Sequence, residues 1–315
     1  MVKIFKLSKR TSKTFPAERT IFERVTREAI PFYQENSDGQ KRQYAVCPGC
    51  NNPIQIIGLY NRLKHTDNPF GRHSPRPVDG FTFDPAAYEF CPYLVKSTPT
   101  DKASRRELSP FSCDILKLVI DEYDRVVRVL REDMGFNFSA KFAQNMLCSY
   151  LKEQGYLYPA ASLRNIPWIV GYLSFSKSLV GQYLKSDSPQ YAALNKAITG
   201  NIPQATVTDK GWLTRKANTG FNLQCFFTNH RMDEAKGGDL RESIQFVMIT
   251  GRAEGPDGII GTEIWDEKII FDHPRFEHLV QIKTQKYRDT KLLEMAQTEL
   301  QTHLRHFPQV GEYFR

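Results

Sequence analysis

Apolar residues recur along this chain with two different spacings, and the change between them divides it. In the middle, Ile115, Val119, Tyr123, Val126 and Leu130 fall three or four residues apart, the spacing of one helix face. Asp121 with Arg125, and Asp124 with Arg128, then form i,i+4 pairs on its outer face. Gly135 should stop this helix. Ser139 should cap a second, bearing Phe142, Met146 and Leu147 and ending at Gly155. A third begins at Asn165-Ile166-Pro167, with proline at an initiating position. Beyond residue 204 the period shortens to two. Strands are expected over 221–227, 244–249 and 264–271, joined by turns at 233–238 and 255–258. A last helix carries Leu293, Ala296, Leu300, Leu304 and Phe307 on one face.

The first third is less regular. It offers a short N-terminal strand, an amphipathic helix after Pro16 (Ile21, Phe22, Val25, Ile30) and an apolar run over 54–60 that reads as a strand. Asp84-Pro85 has the form of a helix start and leads Tyr88 and Phe90 into Cys91. The polar stretch 97–104 is the best linker. The expectation is an α+β fold in three segments. Residues 1–105 are loop-rich, 106–203 helical, and 204–315 an antiparallel sheet plus helix.

That loop-rich first segment holds the most specific chemistry. Cys47-Pro48-Gly49-Cys50 is a Cys-x-x-Cys knuckle, followed by His65, His73 and Cys91. Such a turn lets two sulfurs reach one ion, and Zn²⁺ takes four tetrahedral ligands of thiolate or imidazole. Proline and glycine suit the turn, glycine by accepting positive φ. Cys47, Cys50, His73 and Cys91 are the expected ligands, with His65 the alternative to His73, which lies nearer Cys91 in sequence. Four protein ligands leave no open position, so the zinc is expected to be structural. Two plainer readings compete. One is a pair of reduced, inert thiols; the other is a thioredoxin-like redox pair, which needs a helix after Cys50 where a strand is expected. Cys113, Cys148 and Cys225 sit among apolar neighbours and read as core.

The formal charge of +8 over 315 residues attracts polyanions. Basic residues crowd the N-terminus (Lys3, Lys6, Lys9, Arg10, Lys13, Arg19) and the zinc loop (Arg62, Lys64, Arg72, Arg76), the latter beside Tyr60 and Phe70. Cations bind phosphates and aromatic rings stack on bases, so nucleic acid is the expected partner, against the plainer reading of a solvated basic face. Residues 168–184 resemble the helix-turn-helix of small bacterial DNA-binding domains. Ser176 would cap the second helix, and Lys177 and Gln182 would face phosphates and base edges. A plain helical hairpin fits the same pattern.

Catalytic signals are sparse. The chain has no nucleotide-binding glycine loop, no Gly-x-Ser-x-Gly and no His-Glu-x-x-His. Pro256-Asp257 followed by Asp266-Glu267-Lys268 is similar to the pattern of metal-dependent nucleases, which would make Asp257 and Asp266 metal ligands and put Lys268 beside the attacking water. Asn229-His230-Arg231 is polar and could serve a site, although a lone histidine at a strand end is more often just solvated.

No apolar stretch approaches the length that crosses a bilayer, and the N-terminus lacks a signal-peptide core, so a cytoplasmic protein is expected. Residues 44–95 run from the knuckle with Asn51-Asn52-Pro53-Ile54, through Gly71-Arg72-His73, to Phe83-Asp84-Pro85-Ala86-Ala87-Tyr88-Glu89-Phe90-Cys91-Pro92-Tyr93. This block resembles the N-terminal zinc block of bacterial mobile-element and phage-defence proteins, including effectors paired with retron reverse transcriptases. The resemblance leaves the C-terminal segment unmatched. It implies a toxin-like effector of a defence or toxin–antitoxin module, held inactive in a complex of reverse transcriptase, RNA and DNA. The expected function is therefore a zinc-containing, nucleic-acid-associated protein. The alternatives are a nuclease acting through the C-terminal strands, and a protein-interaction adaptor whose zinc is scaffold.

Overall fold

Five helices begin where a side chain takes up an N–H of the first turn that has no partner within the helix. In the computed structural model Asp84 accepts from Ala87 N (2.9 Å), Ser109 from Ser112 N (3.4 Å) and Ser139 from Phe142 N (3.2 Å). Asp272 does so from Arg275 N (3.0 Å) and Asp289 from Leu292 N (3.2 Å). The structure describes residues 2–35, 39–61, 68–94, 100–216, 220–234, 240–255, 258–282, 284 and 288–314, with backbone alone at 234, 252–255 and 258–260.

The N-terminal segment contains β1 (Ile4–Phe5), β2 (Phe15–Pro16), α1 (Arg19–Thr26), β3 (Tyr33–Glu35), β4 (Lys41–Val46), β5 (Pro53–Ile57), β6 (Phe70–His73) and α2 (Pro85–Glu89). Strands β3 to β6 form an antiparallel sheet in chain order, and β1 pairs with β2.

The middle contains α3 (Pro110–Asp121), α4 (Tyr123–Met134), β7 (Phe136–Asn137), α5 (Ala140–Lys152), α6 (Ile166–Tyr172), β8 (Lys177–Ser178), β9 (Tyr183–Leu184) and α7 (Tyr191–Asn201). The single helix expected through 115–130 is thus two, broken at Glu122. Gly135 closes α4 in the left-handed conformation, as expected. The two ion pairs expected on an outer face do not form. Asp121 pairs with Lys117 (3.2 Å) and Arg128 with Glu132 (3.1 Å). Asp124 and Arg125 are buried, the first holding Arg288 (2.8 Å) and the second Glu122 (2.6 Å) and the carbonyl of Val280 (3.0 Å). The C-terminal chain covers the face on which they lie.

The last segment contains β10 (Ala205–Val207), β11 (Leu213–Arg215), β12 (Leu223–Glu234), β13 (Leu240–Gly255), β14 (Gly258–Ile270), α8 (His273–Gln281), α9 (Thr290–His306) and α10 (Pro308–Gly311). Its antiparallel sheet has the order β14-β13-β12-β8. The α+β class holds, with the strands and last helix where the sequence puts them. One hydrophobic core runs through all three segments, from Phe5, Phe22 and Ile54 through Val126, Met146 and Trp168 to Phe246, Met248 and Leu300. No helix among the described residues is long and apolar enough to cross a membrane.

Residues 168–184 do not form a helix-turn-helix. After α6 the backbone turns into strands β8 and β9, which pair with β12 and β7. Leu179 N donates to Leu223 O (2.9 Å), and Gly181 adopts φ of 78°, a conformation no helix continues through. The backbone here is committed to sheet partners, so Ser176 caps no helix.

A β-bulge redirects one strand. Between Thr228 and Arg231 β12 has one residue more than β13, and Asn229 sits at φ of 53°. Leu223, Cys225 and Phe227 face inward, and beyond the bulge His230 does as well. Alternation without it would put His230 in solvent.

Candidate metal centre

The knuckle forms because two strands meet there. Strand β4 ends at Val46 and β5 begins at Pro53, and the residues between them close on themselves. Cys47 N donates to Asn52 O (2.8 Å) and Asn51 N to Cys47 O (3.1 Å). The positive φ expected at Gly49 lies instead at Asn51, at 61°. Glycine is needed at 49 for another reason: a Cβ there would lie 2.9 Å from Tyr93 Cδ2 and 3.3 Å from Cys91 Sγ.

His73 ends β6 and pairs with Ile54 on β5, so sheet register carries the imidazole beside the knuckle. Its ring and that of Tyr88 meet edge to face, with centroids 5.9 Å apart. Cys91 follows α2, whose start at Asp84 and Pro85 is as expected. The four residues are buried, and their ligand atoms all lie within 4.8 Å of one another. Cys47 Sγ is 3.6 Å from Cys91 Sγ, and His73 Nε2 is 3.5 Å from Cys50 Sγ and 3.2 Å from Cys91 Sγ. A tetrahedral ion bound at about 2.3 Å to sulfur sets edges of about 3.5–3.8 Å. These three separations are close to that figure, so the cluster is consistent with a site for one metal ion. Among the described residues it is the one cluster of three or more such ligands.

Burial pushes all three thiols up. At Cys47 this is overcome by hydrogen bonds from Cys50, Cys91 and the Gly49 and Cys50 N–H groups, and its pKa falls well below the usual thiol value. Cys50 and Cys91 stay above theirs. None of the chain's cysteines is in a disulfide.

The remaining candidates fare unevenly. Arg62, Lys64 and His65 lie outside the described residues, as does Asp257. Arg72 and Arg76 are exposed just either side of His73, Arg72 donating to Gln55 Oε1 (3.3 Å). Lys177 and Gln182 serve the fold. Lys177 Nζ donates to Ser149 Oγ (2.9 Å), and Gln182 Oε1 accepts from Ser139 N (2.9 Å). Neither is presented on a recognition helix. Asp266 and Lys268 are exposed on β14, opposite Val247 and Gln245. Asp266 joins no cluster of three or more ligating groups among the described residues. Cys113 and Cys225 are core residues as expected, and Cys148 is half-buried.

Sequence reading missed a buried polar cluster. His230, expected in solvent, is buried with its Nε2 3.2 Å from Glu242 Oε2 and its Nδ1 2.8 Å from Tyr158 OH. Asn165 Nδ2 donates to the same carboxylate (2.8 Å). His273 Nε2 lies 3.1 Å from Glu242 Oε1 but out of line for a hydrogen bond. Burial works against the Glu242 carboxylate, yet His230 and His273 hold it well below the usual range. Asn229, a residue that tolerates left-handed backbone, was the one local sign of the bulge that turns His230 inward. No protein-family model, curated protein or solved structure matches this chain.

Proposed function

We propose that Zn²⁺ binds Cys47, Cys50, His73 and Cys91 as a structural ion, and that the block it holds presents a basic face to nucleic acid. The observation that carries the metal reading is the convergence of four buried ligand atoms within 4.8 Å. Three sulfurs and an imidazole favour zinc over harder cations. Four protein ligands leave no place for water, so the ion holds the fold and performs no chemistry.

The nucleic-acid reading is supported by the net charge of +8 and by exposed Arg72 and Arg76 on the strand and turn that carry His73. The likeness of residues 44–95 to defence effectors extends it: a cytoplasmic effector that meets RNA or DNA within a reverse-transcriptase complex. DNA and RNA binding across rising salt tests this. Affinity should fall steeply with salt, and Arg72→Glu with Arg76→Glu should weaken binding to every sequence and flatten the log–log slope by about 1 per lost contact. Binding that ignores both substitutions contradicts it.

One observation favours the adaptor reading. A groove of about 1090 Å³ lies beside α1 and β3 to β5, and among the described residues that line it Glu23, Glu28, Glu35 and Asp79 outnumber Arg19 and Lys41. Such a surface repels a polyanion and suits a basic segment of a protein partner. If Glu28→Lys with Glu35→Lys releases a partner protein while nucleic-acid binding is unchanged, the adaptor reading gains.

A further inference from the structure

We infer that Lys6 is an outer partner of the metal centre, supplying the positive charge that neutralises a divalent ion held by three thiolates and one imidazole. The inference rests on the metal reading above. Such a centre carries one net negative charge, and burying that charge without a counter-charge is costly.

Lys6 is the residue placed to balance it. Its backbone bridges to Val46, the residue before the knuckle, through Lys6 N to Val46 O (2.8 Å) and Val46 N to Lys6 O (3.0 Å). Its side chain is wholly buried, and Nζ donates to Asn51 Oδ1, one residue past Cys50. A buried lysine is rare unless paired. The other buried cations nearby are already engaged. Arg164 meets Glu277 at 2.6 Å. Arg106 donates to the carbonyls of Tyr156 (3.4 Å) and Ala161 (3.1 Å). Lys6 forms no ion pair with a carboxylate among the described residues, and its ammonium is held one residue past Cys50. The metal centre is the negative charge left to balance it. Its bond to Asn51 also holds that residue in the left-handed turn that closes the knuckle.

The test is zinc affinity by competition with a chromophoric chelator for the wild-type chain, Lys6→Met and Lys6→Gln. Glutamine keeps a donor for Asn51 but removes the charge. Both variants should bind one zinc at saturation, with affinity about 10–100-fold weaker, the range seen when an outer partner of a metal ligand is lost. Excess zinc should restore their fold by mass action. Wild-type affinity in Lys6→Gln would show that the hydrogen bond matters and the charge does not, and would overturn the inference. Variants that stay unfolded in excess zinc would also overturn it, since Lys6 would then serve packing. A wild-type chain that binds no zinc would instead remove the metal reading itself.

Discussion

Asn52 and Asp84 exchange two hydrogen bonds across the N-terminal block. The Asp84 N–H donates to Asn52 Oδ1 (2.7 Å), and Asn52 Nδ2 donates back to the Asp84 carbonyl (3.0 Å). Asp84 then caps α2 and takes the Phe111 N–H at the head of α3 (3.0 Å). The knuckle, the helix that leads to Cys91 and the first core helix are therefore tied to one another by these hydrogen bonds.

Asn52→Leu should accordingly cost stability without removing an obvious ligand. It leaves the buried Asp84 N–H unpaired, a loss of about 1–3 kcal/mol. Urea unfolding should show the lowered midpoint, and zinc should exchange faster. An unchanged midpoint would mean that the exchange is incidental.

Gly49→Ala should disturb the centre from within. The new Cβ would press on the Tyr93 ring at 2.9 Å. That ring cannot swing freely, because Tyr93 OH accepts from Arg164 Nη1 (2.9 Å) and Arg164 is fixed by Glu277. Overpacking of this kind costs about 1–3 kcal/mol. Thermal melting should show it, and Gly49→Ala with Tyr93→Ala should recover zinc retention even if total stability stays low. No effect of Gly49→Ala would place Tyr93 elsewhere in solution.

Glu242 predicts an acid-sensitive core. Its folded pKa lies below the ordinary 4.5, so it contributes stability that is present above about pH 4.5 and lost as pH falls below it. Glu242→Gln should cost about 3 kcal/mol at pH 7, because His230 and Asn165 lose a buried charged partner. Unfolding midpoints measured from pH 3 to 7 should fall less steeply on the acid side in that variant. Equal slopes in the two proteins would contradict the assignment.

Lys177→Ala and Gln182→Ala should lower the melting temperature and leave nucleic-acid affinity unchanged, since both side chains satisfy internal groups. A change of sequence preference in a binding assay would restore a recognition role to this segment.

What could be read from the sequence depended on how local each signal was. Helix caps at Asp84 and Ser139, the stop at Gly135 and the three long strands are set by neighbouring residues, and the periodicity located them. The four clustered residues were legible because a knuckle and two further donors are a small set. The strands after α6 were not legible, because 168–184 alternates too little to separate a short strand from a helix, and pairing with β12 decides the matter. His230 needed the bulge at Asn229, which a simple count of alternation passes over. Lys6 was invisible as anything but surface charge, because its burial follows from bridging to Val46 and bonding Asn51, some forty residues away.

Metal content read together with thermal stability tests the central claim most directly. Purified protein should carry about one zinc per chain by elemental analysis, as a closed four-ligand site requires. A strong chelator should remove it and lower the melting temperature, and Cys91→Ser should reproduce both effects in the absence of chelator. A chain that takes up no zinc after incubation with excess metal, and that melts at the same temperature with and without chelator, would contradict the account.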